Sequence, residues 1–571
     1  MIEESMGLVT SDKEGIRILT EVLVCHGVRR VVLSPGSRNA PLLMAFAREK
    51  RISHYVVLDE RSAAFFALGM AQQCGEPVAL ACTSGTALLN YAPAVAEAYY
   101  QRLPLIVISA DRPVEWVDQD DSQTIRQNGI LNQIVKASYQ LPAEIHDEDE
   151  RWYANRIIND ALNCALKGRR GPIHINVPLR EPLYGQCTYP TGNIRTVSFV
   201  DSAPTLSPDV MVDLLARFSA CRKVMVLAGC HLPDEKLKEA LRGLAVLNQV
   251  VVLSETPANV GGENGIGMID RVLATIEEAE KAEFAPELLI TFGGPLISRH
   301  VKAFLRQYRP VEHWSIDRSE HPADTFKVMT TQINLEAEAF FPLLKQQEQT
   351  VDSDYAARWQ QKKELSGVRH RQFEQTVPWS DWKAFSVILP ALPHGIALQL
   401  ANSTPVRYAQ LFEYPQVGRV DANRGTSGID GSASTAVGAS VLNPGLTILM
   451  TGDMSFLYDS NALWNKYITP SLKIIVMKNG GGGIFRFIPG PSELGELEEC
   501  FETEQEVNVK GFAVLHHFGY FYAGSEKELR TVLSDFFTIS DRASILEVET
   551  PRYENAEILR EYFRRLKERK L

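Results

Sequence analysis

Leu446-Thr-Ile-Leu-Met-Thr-Gly452-Asp453-Met454-Ser455, followed by Ile474-Ile-Val-Met-Lys478-Asn479-Gly480-Gly-Gly-Gly483-Ile484-Phe485, is the stretch on which the fold turns. Each half opens with a near-continuous apolar run too short for a buried helix, and each ends on a polar residue where the strand stops. Continuous apolar runs of this length are the mark of strands buried on both faces of a parallel sheet. Asp453 then stands at the C-terminal end of one strand, directly before a helix, and Asn479 stands at the matching end of the next. A carboxylate, an amide oxygen and a loop carbonyl on adjacent strand ends make a hard oxygen site suited to Mg²⁺. The helix N-terminus near Ser455 would offer N–H groups to a diphosphate held by the same ion. Taken singly, Gly452-Asp453 also reads as a plain turn and Gly480–Gly483 as a plain glycine loop. Their spacing on successive strands is what makes the pair specific.

Outward from this point the same alternation runs through the chain. Toward the N-terminus, strands are expected at Val28–Leu33, His54–Leu58, Val78–Cys82, Leu105–Ser109 and Ile173–Val177, with helices at Ser11–His26, Arg61–Gln73 and Ala87–Tyr100. Strands at Lys223–Leu227, Val250–Ser254, Leu288–Phe292 and Glu312–Ile316 form a second group. Those at Ile396–Ala401, Gly418–Ala422, Thr447–Thr451, Lys473–Met477 and Ser544–Val548 form a third. A Pro/Gly-rich linker is expected over Leu183–Asp209, and a polar helix over about Leu344–Gln375. The fold class is therefore α/β, as three consecutive doubly wound parallel-sheet domains: 1–185, 205–345 and 376–571.

The 571 residues exceed what one core serves, and 45% apolar with 23% charged residues is the composition of an ordinary globular protein. A net charge of −11 argues against nucleic acid or an anionic membrane as partner. Small anions remain open to a local arginine pocket. The acidic start Met1–Ser5 lacks a signal peptide's apolar core, and no apolar run approaches a membrane span. Eight cysteines from Cys25 to Cys500 form no Cys-x-x-Cys pair, so neither a zinc site nor a disulfide framework is expected. A cytoplasmic enzyme is the expectation.

Val56-Val-Leu-Asp59-Glu60-Arg61 places Glu60 just beyond a short strand, at the head of a small-residue helix. By itself this also fits an acid favoured by the helix dipole. Together with Gly452-Asp453 and Asn479 it resembles the thiamine diphosphate (ThDP) dependent enzymes, although Met454 and Lys478 stand where that motif has glycine and asparagine. Further segments are similar to one branch of that family. They are Ser34-Pro-Gly-Ser37-Arg38, Thr83-Ser-Gly-Thr86, Asp111-Arg112-Pro113, Ile125-Arg126-Gln127, Asn402-Ser403 with Arg407, and Asn423-Arg424-Gly425-Thr-Ser427-Gly428-Ile429-Asp430-Gly431.

This resemblance implies the family's fold of pyrimidine-binding, central and diphosphate-binding domains, and a transferase of menaquinone biosynthesis. The enzyme would decarboxylate 2-oxoglutarate and add the succinic semialdehyde unit to isochorismate. It implies ThDP with Mg²⁺ (Mn²⁺ as the alternative ion), held by Asp453, Asn479 and the Gly481 carbonyl. Gly452, Met454, Ser455, Ile429, Ile484 and Phe485 would line the cofactor, with Ile429 as its apolar prop, and Glu60 would hydrogen-bond its aminopyrimidine. Glu60, Arg407 and Arg38 are the expected catalytic residues. Ser403 and Arg407 would serve the 2-oxoglutarate side, Ser37, Arg38, Arg112 and Gln123 the isochorismate side, with Arg126 and Arg424 as further substrate ligands. Arg299-His300 replaces two basic residues of the resembled branch. A homodimer or homotetramer with active sites at subunit interfaces is also implied. Two other readings stay open on the residues: an acetohydroxyacid-synthase-like or oxo-acid decarboxylase enzyme, and a silent homologue whose middle domain binds a nucleotide or regulator. Arginines suit dianions better than the apolar pockets of the former. Gly261–Gly267 lacks the Gly-x-Gly-x-x-Gly spacing of a dinucleotide site.

Overall fold

The computed structural model describes residues 8–189, 194–200, 205–262, 264–319, 322–344, 351–488 and 490–568. The N-terminal Met1–Ser5, the linker's Pro190, Gly192 and Pro204, and Glu263 of the middle glycine stretch lie outside the described residues. The chain forms two compact units. One comprises Met1–Ser202, Gly425–Pro444 and Asp459–Thr469, and the other Ala203–Arg424, Gly445–Tyr458 and Pro470–Leu571.

In the first unit, β1 (Leu8–Ser11) pairs antiparallel with a distant strand. A parallel sheet is built from β2 (Arg30–Leu33), β3 (Ser53–Val56), β4 (Val78–Cys82), β5 (Leu105–Asp111), β6 (Ser138–Gln140) and β7 (Ile173–Pro178). The partner of β1 is β8 (Gln186–Tyr189). Strands β4, β5 and β7 are buried along their whole length, as near-continuous apolar runs require, and the polar residues on β5 and β7 are paired with one another. The helix Glu60–Cys74 crosses the helix Ser432–Leu442 with backbones in direct contact. A Cβ on Gly69 would stand 1.9 Å from the Thr435 carbonyl oxygen, and one on Gly438 would stand 2.0 Å from that of Phe66. Only glycine permits this approach.

The second unit holds two parallel sheets. One contains β9 (Val224–Ala228), β10 (Val250–Ser254), β11 (Leu288–Phe292), β12 (Glu312–Ile316) and β13 (Thr331–Ile333), in the order β10-β9-β11-β12-β13. The other contains β14 (Ala397–Leu400), β15 (Arg419–Ala422), β16 (Thr447–Gly452), β17 (Leu472–Lys478), β18 (Gly519–Ala523) and β19 (Ser544–Glu549). Its order, β15-β14-β16-β17-β19-β18, repeats that of the first unit's sheet, β3-β2-β4-β5-β7-β6. In both, the chain reverses direction across the sheet beside the first strand, and ligands gather at such switch points beyond the carboxyl ends of the strands.

The expected strands are all present, to within two residues at most ends. The antiparallel pair β1 and β8 was not expected, β8 lying in the stretch read as a linker, and three short strands of the parallel sheets also escape the sequence pattern: β6, β13 and β18. Each is the outermost strand of its sheet, half-wet and without a continuous apolar run. The helix expected over Leu344–Gln375 is corrected. One helix ends at Leu344, and another spans Tyr355–Thr376. Asp352-Ser353-Asp354 breaks the run, since the Ser353 hydroxyl accepts from Tyr355 N–H at 3.2 Å and donates to the Arg222 carbonyl at 2.6 Å. Such local bonding favours helix ends over helix interiors.

Each sheet region also carries a buried imidazole. His174 on β7 meets Ser109 Oγ at 2.8 Å, His313 on β12 meets Thr291 Oγ1 at 2.9 Å, and His370 on Tyr355–Thr376 meets the Tyr562 hydroxyl at 2.8 Å. Burial pushes all three down, to about 4, about 4 and about 3 respectively.

Candidate active site

In the second unit, β16 and β17 run parallel with Gly452 opposite Met477, so the residues that follow emerge together. Asp453 opens the helix Asp453–Tyr458 and is 2% exposed. Its Oδ1 accepts from Met454 N–H at 2.7 Å, and its Oδ2 accepts from Asn479 N–H at 3.1 Å and Gly480 N–H at 2.8 Å. Burial raises the Asp453 carboxyl, and these amides oppose the rise. The turn that delivers the amides needs φ of +81° at Gly480 and +146° at Gly481, where a Cβ would also stand 2.9 Å from the Glu502 carbonyl.

Asn479 Nδ2 donates to Asp381 Oδ2 at 2.9 Å, and no described residue donates to Asn479 Oδ1. The Gly481 carbonyl accepts from Gly483 N–H at 2.8 Å and retains its second lone pair. Carboxylate, amide oxygen and carbonyl are thus at adjacent strand ends, a donor set that fits Mg²⁺. Beside them Gly452 faces open space, Met454 and Ser455 form the first helical turn, and Ile484 and Phe485 lie half-buried in the single turn Gly483–Arg486. Lys478 is explained by an ion pair with Glu547 at 2.9 Å.

Around the end of β14 the same unit gathers cations. Ser403 takes a left-handed φ of +74° at the head of the helix Thr404–Ala409, which carries Arg407. Arg407 Nε is buried without a hydrogen-bond partner among the described residues. Burial first, then the charges of Arg424 and Arg299, push its pKa below the ordinary arginine value, while Asp270 and Glu255 act the other way. Arg424 is buried and donates to Asn402 Oδ1 at 2.8 Å. His300 pairs with Asp270 at 3.3 Å, which raises its pKa. A half-buried guanidinium with an unused donor among other cations is a ready carboxylate site.

In the first unit, Glu60 is the first residue of its helix, with the Asp59 side chain capping Ser62 N–H at 2.8 Å. Burial lifts the Glu60 carboxyl above its usual range, with Asp59 adding to the rise. Glu60 and Gln123 line one cavity of about 350 Å³, walled by Thr83–Ala87 and floored near Asp121 and Ile125. Thr83 Oγ1 and Ser84 Oγ are buried there without partners among the described residues. Gly85 holds the wall by donating its N–H to Gln127 Oε1 at 2.7 Å, at a φ of +85°.

Arg112 reaches the cavity's rim through an ion pair with Asp121 at 2.8 Å. Arg38 is buried and already engaged, by the Leu179 carbonyl at 3.0 Å and Glu181 at 3.1 Å. Ser37 is exposed, and Arg126 is exposed and paired with Asp118 at 2.7 Å. Ser37, Arg38 and Arg126 do not line the cavity that Glu60 and Gln123 share. Ile429, 40% exposed, belongs to this unit through Gly425–Pro444.

Residues 13–130 match the family model described as "Thiamine pyrophosphate enzyme, N-terminal TPP binding domain". Over 562 residues, 97% of each chain, the protein is 49% identical to the 2-succinyl-5-enolpyruvyl-6-hydroxy-3-cyclohexene-1-carboxylate synthase of Porphyromonas gingivalis. It is 42% identical to the enzyme of that name from Flavobacterium psychrophilum over 550 residues, 96% of this chain and 98% of the relative. With that of Bacteroides thetaiotaomicron it shares 36% over 570 residues, 98% of this chain and the whole of the relative. The chain belongs to the 2-succinyl-5-enolpyruvyl-6-hydroxy-3-cyclohexene-1-carboxylate synthase family.

Some residues that matter in this synthase-family chain were not singled out from sequence. Asp381 follows the helix cap Ser380 and reads as an ordinary first-turn acid, yet it is 1% exposed and pushed up to about 6, chiefly by burial. Glu255 is fully buried, accepts from Ile297 and Ser298 N–H at 2.6 Å each, and is pushed by burial up to about 7. The hydroxyls of Thr83 and Ser84 were legible as a motif but not as orphaned donors, a property only burial creates.

Proposed function

We propose that this protein decarboxylates 2-oxoglutarate and adds the succinic semialdehyde unit to isochorismate, with ThDP and Mg²⁺ (or Mn²⁺) as cofactors. The observation that carries the proposal is the Asp453 carboxylate clamped by the Asn479–Gly480 turn, beside an oxygen of Asn479 that no described residue engages. When bound, ThDP supplies a nucleophilic carbon that makes loss of CO₂ from a 2-oxo acid and onward transfer of the remaining unit feasible.

The chain's own residues supply the rest. Asp453, Asn479 and the Gly481 carbonyl would hold the metal, and the first turn at Met454 and Ser455 would face the diphosphate. Glu60, its carboxyl raised by burial, would hold or release a proton at its own oxygens against the pyrimidine nitrogen. Arg407 and Ser403, with Arg424 behind them, would orient the carboxylates of the 2-oxoglutarate unit. Gln123 and Arg112, at the cavity of Glu60, would serve isochorismate with the exposed Ser37, and Arg38 would join them only with a change in its present partners. Ile429, Ile484 and Phe485 would exclude water from the cofactor.

The proposal includes a division into domains at 1–185, 205–345 and 376–571, each containing one of the parallel sheets. It also includes a homodimer or homotetramer with sites at subunit interfaces. A cytoplasmic location is supported by the eight cysteines, all free. Among the described residues no helix is long and apolar enough to cross a membrane.

The test is isochorismate consumption by the purified protein with 2-oxoglutarate, ThDP and Mg²⁺ present together, then with each omitted. Consumption only with the complete set is expected. Decarboxylation without loss of isochorismate would remove the acceptor from the proposal, and absence of ThDP binding would remove the whole of it.

A further inference from the structure

The hydrogen bonds around Asp381 can be assigned from backbone groups alone, whose donor or acceptor character is fixed. Asn555 Nδ2 lies 2.6 Å from the Pro551 carbonyl, which can only accept, and Asn555 Oδ1 lies 2.8 Å from Asp381 N–H, which can only donate. The Asn555 amide therefore has one orientation. Its Nδ2 also approaches Thr550 Oγ1 at 3.4 Å, so that oxygen accepts there and sends its own proton to Asp381 Oδ1 at 2.6 Å. The Thr550 backbone is anchored too, donating N–H to the Lys478 carbonyl at 3.0 Å. Asp381, buried and accepting on Oδ1, presents Oδ2 as an acceptor to Asn479 at 2.9 Å. Asn479 must answer with its NH₂ group, and its carbonyl oxygen is turned the other way.

We infer that Asp381 is the positioning residue that makes Asn479 present oxygen, not nitrogen, to a divalent cation. The inference rests on the reading of Asp453 and Asn479 as metal ligands. An amide is nearly symmetric in shape, so packing alone cannot select its oxygen. A carboxylate behind it can, because the carboxylate has no proton to give. Loss of such an outer partner typically costs about 10–100-fold in metal affinity. The Asn555–Thr550–Asp381 chain thus converts two fixed backbone groups into the polarity of a side chain three links away.

The test replaces Asp381 and then restores the polarity from the other side. In Asp381→Asn, Thr550 still donates to the new side chain's oxygen, whose NH₂ then faces Asn479 and draws the Asn479 oxygen away from the metal. ThDP binding to the full-length protein is titrated against Mg²⁺ by calorimetry. The apparent Mg²⁺ affinity is expected to fall about 10–100-fold with little change in the unfolding midpoint. The double variant Asp381→Asn/Asn479→Asp makes residue 479 the acceptor and returns an oxygen to the metal, so it should recover most of the loss. Unchanged Mg²⁺ dependence in the single variant would overturn the inference, and so would a loss that the double variant does not repair. Failure of the wild-type protein to bind ThDP with Mg²⁺ would instead overturn the reading on which the inference rests.

Discussion

Glu60 and Arg407 illustrate how burial shifts the titration of an ordinary side chain. Glu60 is an acid at a helix start, where the dipole alone would keep it ionised, yet desolvation raises its pKa. Glu60→Gln should leave ThDP binding near normal and slow turnover by about 10²–10⁴-fold, read as kcat under saturating cofactor. Near-normal kcat would remove Glu60 from the proton transfer. For Arg407, whose Nε has no partner among the described residues, Arg407→Ala should raise KM for 2-oxoglutarate about 10- to 100-fold, the scale of one lost charged hydrogen bond. An equal rise in KM for isochorismate would undo the assignment of this arginine to one substrate. Sequence located both residues because each sits in a motif at a strand end. Asp381 escaped, since a first-turn acid beside a serine cap is indistinguishable in sequence from a solvated one, and only the fold brings Thr550 and Asn479 to it. Arg38 and Arg126 show what a motif leaves out: it marks the residues, while their partners, Leu179 and Glu181 for Arg38 and Asp118 for Arg126, come from the fold.

Among elements, strands buried on both faces were legible because near-continuous apolar runs fill them, as in β4, β10 and β17. The outermost strands β6, β13 and β18 were not, because one edge faces water and their sequences alternate or break. The crossing of the helices Glu60–Cys74 and Ser432–Leu442 was equally invisible, since Gly69 and Gly438 look like mild helix weaknesses until the opposing carbonyls are seen. Gly69→Ala should destabilise by about 1–3 kcal/mol through overpacking, visible as a lowered midpoint in thermal unfolding. An unshifted midpoint would mean that the two helices can separate freely. Because Glu60 heads one of these helices, the same variant should also lower kcat.

Across the whole molecule, His174, His313 and His370 make the fold acid-sensitive. Each is neutral when folded, with a folded pKa between about 3 and about 4 set chiefly by burial, against an ordinary 6.5. The stability they contribute is complete above pH 6.5. It is lost as the pH falls toward 4, because the unfolded chain takes up protons that the folded chain refuses. Glu255, raised to about 7, works in the reverse sense: its contribution is full near pH 4.5 and is lost as the pH rises through 7. The unfolding midpoint should therefore drop between pH 6.5 and 4. His370→Phe, which keeps a ring among Trp382, Phe412 and Tyr562, should flatten that slope. An unaltered slope would mean that His370 does not remain neutral in the fold.

The first unit is not contiguous along the chain: its helix Glu60–Cys74 is covered by Ser432–Leu442, and Asp459–Thr469 joins later still. On the ribosome, residues through Ser202 emerge long before their covering segment. At about 5–20 residues per second, the wait is on the order of 10–50 s. During that interval Phe65, Phe66 and the glycine face of the helix have no native cover, although the sheet beneath them can already be paired. Synthesis halted between the two segments would therefore leave the first unit without the segment that covers its helix.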